Sequence, residues 1–499
     1  MGVLDFPARQ AQEDYGFDIA RAGHTALFGS PGYGKSTVLQ TLVMNLAKTS
    51  TPEQVHVQLI DFGNNGLLPL TDLPHVADIV TLEEAEKLGK MLEAIADLLA
   101  TRKSVFKEAG VGNLEQYQAK TGIALPLVVN VLDGYDNLTP NDRRKETIDS
   151  LLLQVLREGA ALGITLVMSS SRVGGVRVNM LSNISTKLCL YLNDESELAQ
   201  LMGRERLLQA DLPGRGQVLL DAPTAIQFYL PARGQDSSET LAALEQQIAT
   251  LNENWTGARP EKIPMVPREL TPQTLQSHRS REATPDTLLL GLNKSSATPE
   301  GFELYRAKSL AIFPETGRQA ALLYPFLIAS VVDAVADEDL VVIDAHDTLK
   351  PLLSSASSLY IGKTLLKSNA ELVKTALTEL IENGSPSRQC ILINGITDVF
   401  ERLLLPTDRV AELLSAGSAT TQVIVLDLLS RVNGGFGLVG PLKDNVEQIM
   451  FGGDLGTQRF VDNLPLDVRR ETHGKNVLHS LTDDELVQIV VPTIPESEE

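Results

Sequence analysis

Along the chain, apolar residues gather in short continuous runs, separated by longer stretches where they recur every three or four positions. Runs of the first kind suit strands buried on both faces. Stretches of the second kind suit amphipathic helices. In the first half they predict strands over 24–29, 55–61, 127–133, 164–169 and 187–192, and helices over 36–48, 82–109 and 145–161. The second half repeats the alternation, with strands over 309–313, 340–344, 389–394 and 422–426. Strands that alternate with helices predict an α/β fold of mainly parallel sheets covered by helices. The segment G-A-R-P-E-K-I-P-M-V-P-R-E-L-T-P holds four prolines, which predicts an extended connector with little core of its own. The expected organisation is a module over 1–258, a linker over 259–285 and a second module over 286–499. The longest apolar run, from Ala320 to Val332, ends at Asp333. It falls short of the ~20 residues a membrane span needs and reads as a buried helix.

The two halves echo each other. A-L-F-G-S-P-G-Y-G-K-S-T, from Ala26, aligns without gaps to S-L-A-I-F-P-E-T-G-R-Q-A, from Ser309. That offset of 283 pairs Pro31 with Pro314, Gly34 with Gly317 and Asp61 with Asp344. Further on, L-V-V-N-V-L-D-G (Leu127 to Gly134) resembles Q-C-I-L-I-N-G (Gln389 to Gly395) at an offset of 261. Three matches in the same order indicate a duplicated module.

The first copy carries chemistry. Gly29-x4-Gly34-Lys35-Ser36 satisfies the phosphate-loop pattern in full, between a predicted strand and a predicted helix. Its glycines let successive N–H groups turn toward a phosphate at a helix N-terminus. The candidate nucleotide-binding residues are therefore Gly29, Ser30, Pro31, Gly32, Tyr33, Gly34, Lys35, Ser36 and Thr37. Lys35 is expected to neutralise the β- and γ-phosphates, and Ser36 to place its hydroxyl on Mg²⁺. The competing reading is a plain glycine turn. Asp133, at the end of an apolar strand, is expected to hold a magnesium-bound water, against the alternative of a strand-end turn former. The next residue is Gly134, where ATPases of this class carry the glutamate that polarises water. A glycine can neither orient nor deprotonate a water. Asp136 follows, but an extended backbone carries a side chain ~6–7 Å onward over two residues and aims it elsewhere. No residue is therefore assigned a catalytic role, and binding without efficient turnover is expected.

The second copy is eroded. In the ungapped pairing Gly29 becomes Ile312 and the remnant site comprises Glu315, Thr316, Gly317, Arg318, Gln319 and Asn394. Glu315 sets a carboxylate against phosphate, Arg318 replaces the point charge of a lysine, Gln319 lacks the hydroxyl, and Asn394 replaces the magnesium aspartate. ATP and Mg²⁺ are thus expected in the first module only. A decoy, I-G-K-T at 361–364, lacks the glycine that should begin the loop and reads as a surface loop.

Charge narrows the partners. With 43 Lys and Arg against 64 Asp and Glu, the net charge is −21, which disfavours nucleic acid. Cys189 and Cys390 are the only cysteines, so neither a disulfide scaffold nor a zinc site is expected. The opening residues lack a long apolar core, so no signal peptide is expected there, and the acidic end P-T-I-P-E-S-E-E reads as frayed.

With these residues in hand, the chain resembles the FtsK/SpoIIIE superfamily, and within it the EssC/EccC ATPases of type VII secretion systems. The resemblance rests on Gly2–Gln12 (G-V-L-D-F-P-A-R-Q-A-Q), the loop at 29–37, I-D-F-G from Ile60 and L-P-H-V from Leu73. It rests also on R-x-x-x-F-K-E-A-G-V from Arg102, R-E-G-A-A-L-G-I from Arg157 and L-P-G-R-G from Leu212. It implies two tandem P-loop NTPase-like domains of RecA/FtsK type, the second and third modules of a longer membrane-anchored protein. Such a piece would lie on the cytoplasmic side of the cell membrane, bind ATP and regulate a protein-secretion motor. The last module would recruit WXG-type helical dimers. Membrane-embedded components would be met through the amino-terminal part of that longer protein, and a homo-oligomer of the full protein is among the arrangements the resemblance allows. One departure is Gly159-Ala160, where the family often has Gly-Arg, so a trans-acting arginine is absent. The alternatives are a DNA translocase module of the same superfamily and a nucleotide-sensing scaffold that transports nothing.

Overall fold

The protein is described from a computed structural model covering residues 1–208, 212–279, 284–306, 309–336, 339–353, 359–383, 387–416, 420–435, 437–464, 469 and 474–494. The tail read as frayed lies mostly outside these residues, from 495 on. The chain divides into two compact units, Met1–Ile263 and Pro264–Glu499.

The first unit holds β1 (Gly2–Phe6), β2 (Ala11–Tyr15), β3 (Thr25–Phe28), β4 (Val55–Asp61) and β5 (Val76–Thr81). It continues with β6 (Leu127–Asp133), β7 (Ile164–Ser170), β8 (Thr186–Leu190), β9 (Arg215–Leu219) and β10 (Pro223–Phe228). They form one sheet in the order β2-β1-β10-β9-β8-β3-β7-β6-β4-β5. The second unit holds β11 (Thr287–Asn293), β12 (Pro299–Glu303), β13 (Ser309–Phe313), β14 (Leu340–Asp344) and β15 (Leu359–Gly362). After them come β16 (Gln389–Asn394), β17 (Thr421–Leu426), β18 (Val446–Phe451), β19 (Val477–Thr482) and β20 (Glu485–Val490). Their order, β12-β11-β20-β19-β18-β13-β17-β16-β14-β15, repeats the first sheet strand for strand. The duplication read from three short matches therefore extends over the whole of each sheet.

Six strands of each sheet, β8-β3-β7-β6-β4-β5 and their counterparts, run parallel, as the continuous apolar runs require. The expectation of mainly parallel sheets holds for these six of ten strands, and an antiparallel flank adds to it. Four further strands on the β8 or β18 side pair antiparallel, so each sheet is mixed. Helices cover both faces. In the second unit Leu310, Ile312, Val342 and Ile424 join one core, while the alternate residues Ala311, Phe313, Ile343 and Val425 join another.

The run from Ala320 lies inside helix Gly317–Ala334 and is buried on its inner face. No helix among the described residues is long and apolar enough to cross a membrane. The stretch read as a bare connector contributes to the second unit. Thr271 caps the short helix Pro272–Ser277, and Leu270 and Leu275 are buried with the β11 side chains. The I-G-K-T decoy is not a loop: it is the end of β15 and the start of helix Lys363–Ser368.

Candidate functional site

In a parallel sheet, functional groups collect beyond the carboxyl ends of the strands, where loops turn into helices. At that edge of the first unit, residues Gly29–Gly34 connect β3 to helix Lys35–Thr49. Gly32 and Gly34 have φ of 86° and 95°, a region L-side chains rarely adopt, and a Cβ on either would project into open space. No side chain caps the helix. The N–H groups of Gly32, Gly34, Lys35 and Ser36 find no acceptor among the described residues. The loop thus presents a bare cradle of donors at a positive helix end. Lys35 folds back over it, its Nζ donating to Gly29 O at 2.7 Å and Ser30 O at 3.4 Å. Burial pushes the Lys35 ammonium below the usual lysine range, and Asp136 first, then Asp133, oppose that shift.

β4 and β6 are in register, with Asp61 opposite Asp133 at their ends. Asp133 is 3% exposed and stands between two hydroxyls. Ser36 Oγ donates to its Oδ2 at 2.5 Å, and Ser169 Oγ donates to its Oδ1. Asp61 takes the N–H groups of Gly63 at 2.8 Å and Leu67 at 2.9 Å, shaping the loop that packs Gly66 against Ser36. Asp61 and Ser169 escaped the sequence reading as site residues. Asp61 stood out as one member of a repeated pair and within I-D-F-G, with no role attached, and a serine inside an apolar strand has no spacing signature. The donor set fits a nucleoside triphosphate with its cation. Loop N–H groups and Lys35 suit the phosphates, and Ser36 with Asp133 is an all-oxygen pair that suits Mg²⁺ alongside phosphate oxygens. When bound, the ion would supply charge neutralisation between phosphates.

Gly134 has φ 73°, and a Cβ there would meet Asn137 Nδ2 at 2.9 Å and Gly63 N at 3.1 Å. The missing glutamate therefore reflects a turn that excludes any side chain. Asn137 N donates to Gly134 O at 2.9 Å and Asn137 Nδ2 to Phe62 O at 2.8 Å, closing the turn Tyr135–Asn137. The turn replaces the extended path expected between Asp133 and Asp136. Its carboxylate is folded back toward the sheet and accepts Ser171 N–H at 2.9 Å.

The second unit reveals a further correction. Its β13 runs to Phe313 and its helix begins at Gly317, leaving only Pro314–Thr316 between them, against Gly29–Gly34 in the first. Ile312 is thus a strand residue and not the start of a loop, because the ungapped alignment hid the deletion. What remains is satisfied internally. Thr316 caps the helix by accepting Gln319 N–H at 3.2 Å, and Gln319 Oε1 accepts Glu315 N–H at 2.8 Å. Gln319 Nε2 donates to Lys475 O at 3.0 Å. Asn394 stands opposite Asp344, as Asp133 stands opposite Asp61, but donates to it at 2.8 Å and to Thr348 Oγ1 at 2.8 Å. No hydrogen bond joins Arg318 to these groups among the described residues. Beside them a cavity of about 510 Å³ is lined by Ala320, Ala321, Tyr324, Thr348, Asp427 and Arg431, among others.

Residues 2–210 match the model of the FtsK/SpoIIIE family. The chain is 28% identical over 472 residues to the type VII secretion system protein EssC of Staphylococcus aureus strain MRSA252, covering 92% of this chain and 31% of that protein. It is 32% identical over 300 residues to the ESX secretion system protein EccC of Geobacillus thermodenitrificans, covering 60% of this chain and 20% of that one. The chain thus spans about a third of these relatives' length or less. Among solved structures, EssC (ATPases 2 and 3) from G. thermodenitrificans superposes with TM-score 0.82 at 25% identity, over 99% of this chain and 96% of that one. Thermomonospora curvata EccC (ATPases 2 and 3), solved with a signal sequence peptide, shares the fold at TM-score 0.57 and 20% identity, over 99% and 92% of the two chains. Residues 2–210 therefore form an FtsK/SpoIIIE-family domain, and the chain is a homologue of the ATPase 2 and 3 region of the EssC/EccC type VII secretion ATPases.

Proposed function

We propose that this chain is the ATP-binding, regulatory and substrate-recruiting portion of a type VII protein-secretion motor, with little hydrolysis of its own. One contrast carries the reading. The Lys35 helix offers an uncapped N-terminus behind a glycine loop, whereas its twin is capped by Thr316 and Gln319 behind a loop three residues shorter. An anion gains from bare helix-end donors and has nothing to gain where side chains already satisfy them. Gly134 supports slow turnover, since no side chain can stand there to polarise water. Calorimetric titration with Mg–ATP is expected to give one ATP per chain, with phosphate release close to that of the buffer. Two equivalent occupancies, or rapid release, would refute the reading.

The second unit is assigned the recruiting role. Its cavity combines an apolar wall, Ala320, Ala321 and Leu352, with Asp427, His346 and Arg431. A helical peptide with apolar anchors and a polar edge, such as the end of a WXG-type dimer, suits that lining. Substituting Ala321→Trp fills the mouth and is expected to weaken binding of such a dimer at least tenfold, read by fluorescence anisotropy, with Mg–ATP affinity unchanged. Undiminished dimer binding would move recruitment elsewhere.

A further inference from the structure

The chain that leaves β8 is tied to the phosphate loop of the first unit. Tyr191 directly follows Thr186–Leu190, and its carbonyl accepts Ser30 N–H at 2.8 Å. Asn193 N–H donates to Ser30 Oγ at 3.0 Å, and a Cβ on Gly29 would lie 2.8 Å from Leu190 Cβ. The start of the loop is therefore seated on the end of β8. Beside this seam the Tyr191 ring stacks on Tyr33, a residue of the loop itself, with centroids 4.7 Å apart and planes inclined by 30°. Tyr33 is half-buried and packs against the core of the unit. Arg206 lies over the Tyr191 ring, its Cζ 5.5 Å from the centroid, and pairs with Glu195. The space on either side of Tyr33 in the chain is open, since a Cβ on Gly32 or Gly34 would meet nothing within 4 Å.

The second unit carries no such pair. Only Pro314, Glu315 and Thr316 stand between β13 and its helix, and β18 is followed by Gly452 and Gly453. A Cβ on Gly452 would lie 2.9 Å from Glu315 N, and one on Gly453 2.7 Å from Glu315 Cδ, so the strand end is pressed directly onto the shortened loop. Phe451, the last residue of β18, is fully buried against Phe460. Both sheets have the same strand order, yet the stacked tyrosines occur only beside the intact loop. The pair therefore goes with the cradle and is not something the sheet requires.

We propose that Tyr33 and Tyr191 form the nucleobase platform of the first site, where a flat purine stacks, and that Tyr191 is a specificity-determining residue outside the phosphate-loop pattern. The inference rests on the ATP-binding reading above. Strand order sets the direction of the ligand. The sheet runs β8-β3-β7-β6, so the loop after β3 has Asp133, at the end of β6, on one side and Tyr191, after β8, on the other. A triphosphate whose outer phosphates meet Lys35 and the Ser36–Asp133 pair points its nucleoside away from β6, toward β8. The tyrosine pair offers an aromatic face there. Stacking accepts any base and favours the larger ring system of a purine. Adenine and guanine nucleotides should therefore bind alike, ahead of those of cytosine and uracil. Arg206, held by Glu195, keeps the Tyr191 ring in place.

The test titrates the full chain, Tyr191→Leu and Tyr191→Phe by calorimetry with Mg²⁺ against ATP, CTP and inorganic tripolyphosphate. Wild-type protein is expected to bind ATP at least tenfold more tightly than tripolyphosphate and about threefold more tightly than CTP. Tyr191→Leu should lower ATP affinity about tenfold and tripolyphosphate affinity less than twofold. Tyr191→Phe keeps the ring and should bind ATP within about twofold of the parent. A merely structural role would disturb the loop seated on β8 and weaken both ligands together. Equal losses for ATP and tripolyphosphate in a Tyr191→Leu variant with the parent's thermal midpoint, or an ATP affinity that it leaves unmoved, overturn this inference alone. Equal affinities of the wild-type chain for ATP and CTP do the same without any variant. Wild-type protein that binds neither ATP nor tripolyphosphate overturns the ATP-binding reading and this inference with it.

Discussion

Replacing Lys35 with alanine is expected to lower Mg–ATP affinity at least a hundredfold while leaving the fold intact. The ammonium makes no contact that the core needs. Its two acceptors, Gly29 O and Ser30 O, belong to the loop itself, so Nζ is parked where a phosphate oxygen would otherwise receive it. Burial works against its charge and prevails, with the carboxylates of Asp136 and Asp133 opposing it only in part. A cation held over the cradle interacts with an anion about 4 Å away by some 4 kcal/mol at an effective dielectric near 20. Losing even two thirds of that costs about 2.7 kcal/mol, or a hundredfold in affinity. The cradle N–H groups remain in the variant, so weak binding should persist, and inorganic tripolyphosphate should lose affinity in parallel with ATP. Calorimetric titration checks this, with the thermal midpoint as control. A variant that binds ATP within threefold of the parent protein would show that the loop is not where the phosphates sit.

The reach of the sequence follows from where its signals come from. Strands buried on both faces announce themselves as continuous apolar runs, so β4, β6, β13, β14 and β16 were bounded to the residue. The antiparallel flank was not legible. β2, A-Q-E-D-Y, is half-exposed and mostly polar, and nothing in such a segment separates a covering strand from a loop. The phosphate loop was legible because its chemistry demands fixed residue types at fixed spacing. Its partners Ser169 and Asp61 were not, since a hydrogen-bond acceptor or donor on a neighbouring strand can come from any register. The two errors at the sites share a cause. Treating the chain after Asp133 as extended missed the left-handed turn at Gly134, and aligning the two loops without a gap missed a deletion between β13 and its helix. Both are backbone events, and the backbone path is what a one-dimensional match leaves free.

The first unit should also be unusually sensitive at Arg102, where alanine is expected to cost about 2–5 kcal/mol of stability. Arg102 lies on helix Ala85–Ala109 and is 4% exposed, yet no carboxylate neutralises it among the described residues. Its Nη1 donates to Leu162 O at 2.6 Å and Gly163 O at 3.1 Å, and its Nη2 to Pro126 O at 2.6 Å. These carbonyls immediately precede β6 and β7, the two strands that carry Asp133 and Ser169. One guanidinium therefore ties the starts of both strands to a helix. Burial pulls it down to about 10, which still leaves it charged at neutral pH. Truncation opens a void and takes the donor from Leu162 O and Pro126 O, while Gly163 O keeps Val128 N–H at 2.9 Å; each orphaned acceptor costs about 1–3 kcal/mol. Gly163, at φ 71°, already lies against the fork, with a Cβ position 2.9 Å from Arg102 Nη1, so the surroundings have no slack with which to re-pair. Lysine keeps the charge but reaches fewer acceptors and should recover only part of the loss. Urea unfolding of the two variants gives the measurement. A loss below 1 kcal/mol for alanine, or equal losses for alanine and lysine, would mean that the fork does not hold these strand ends.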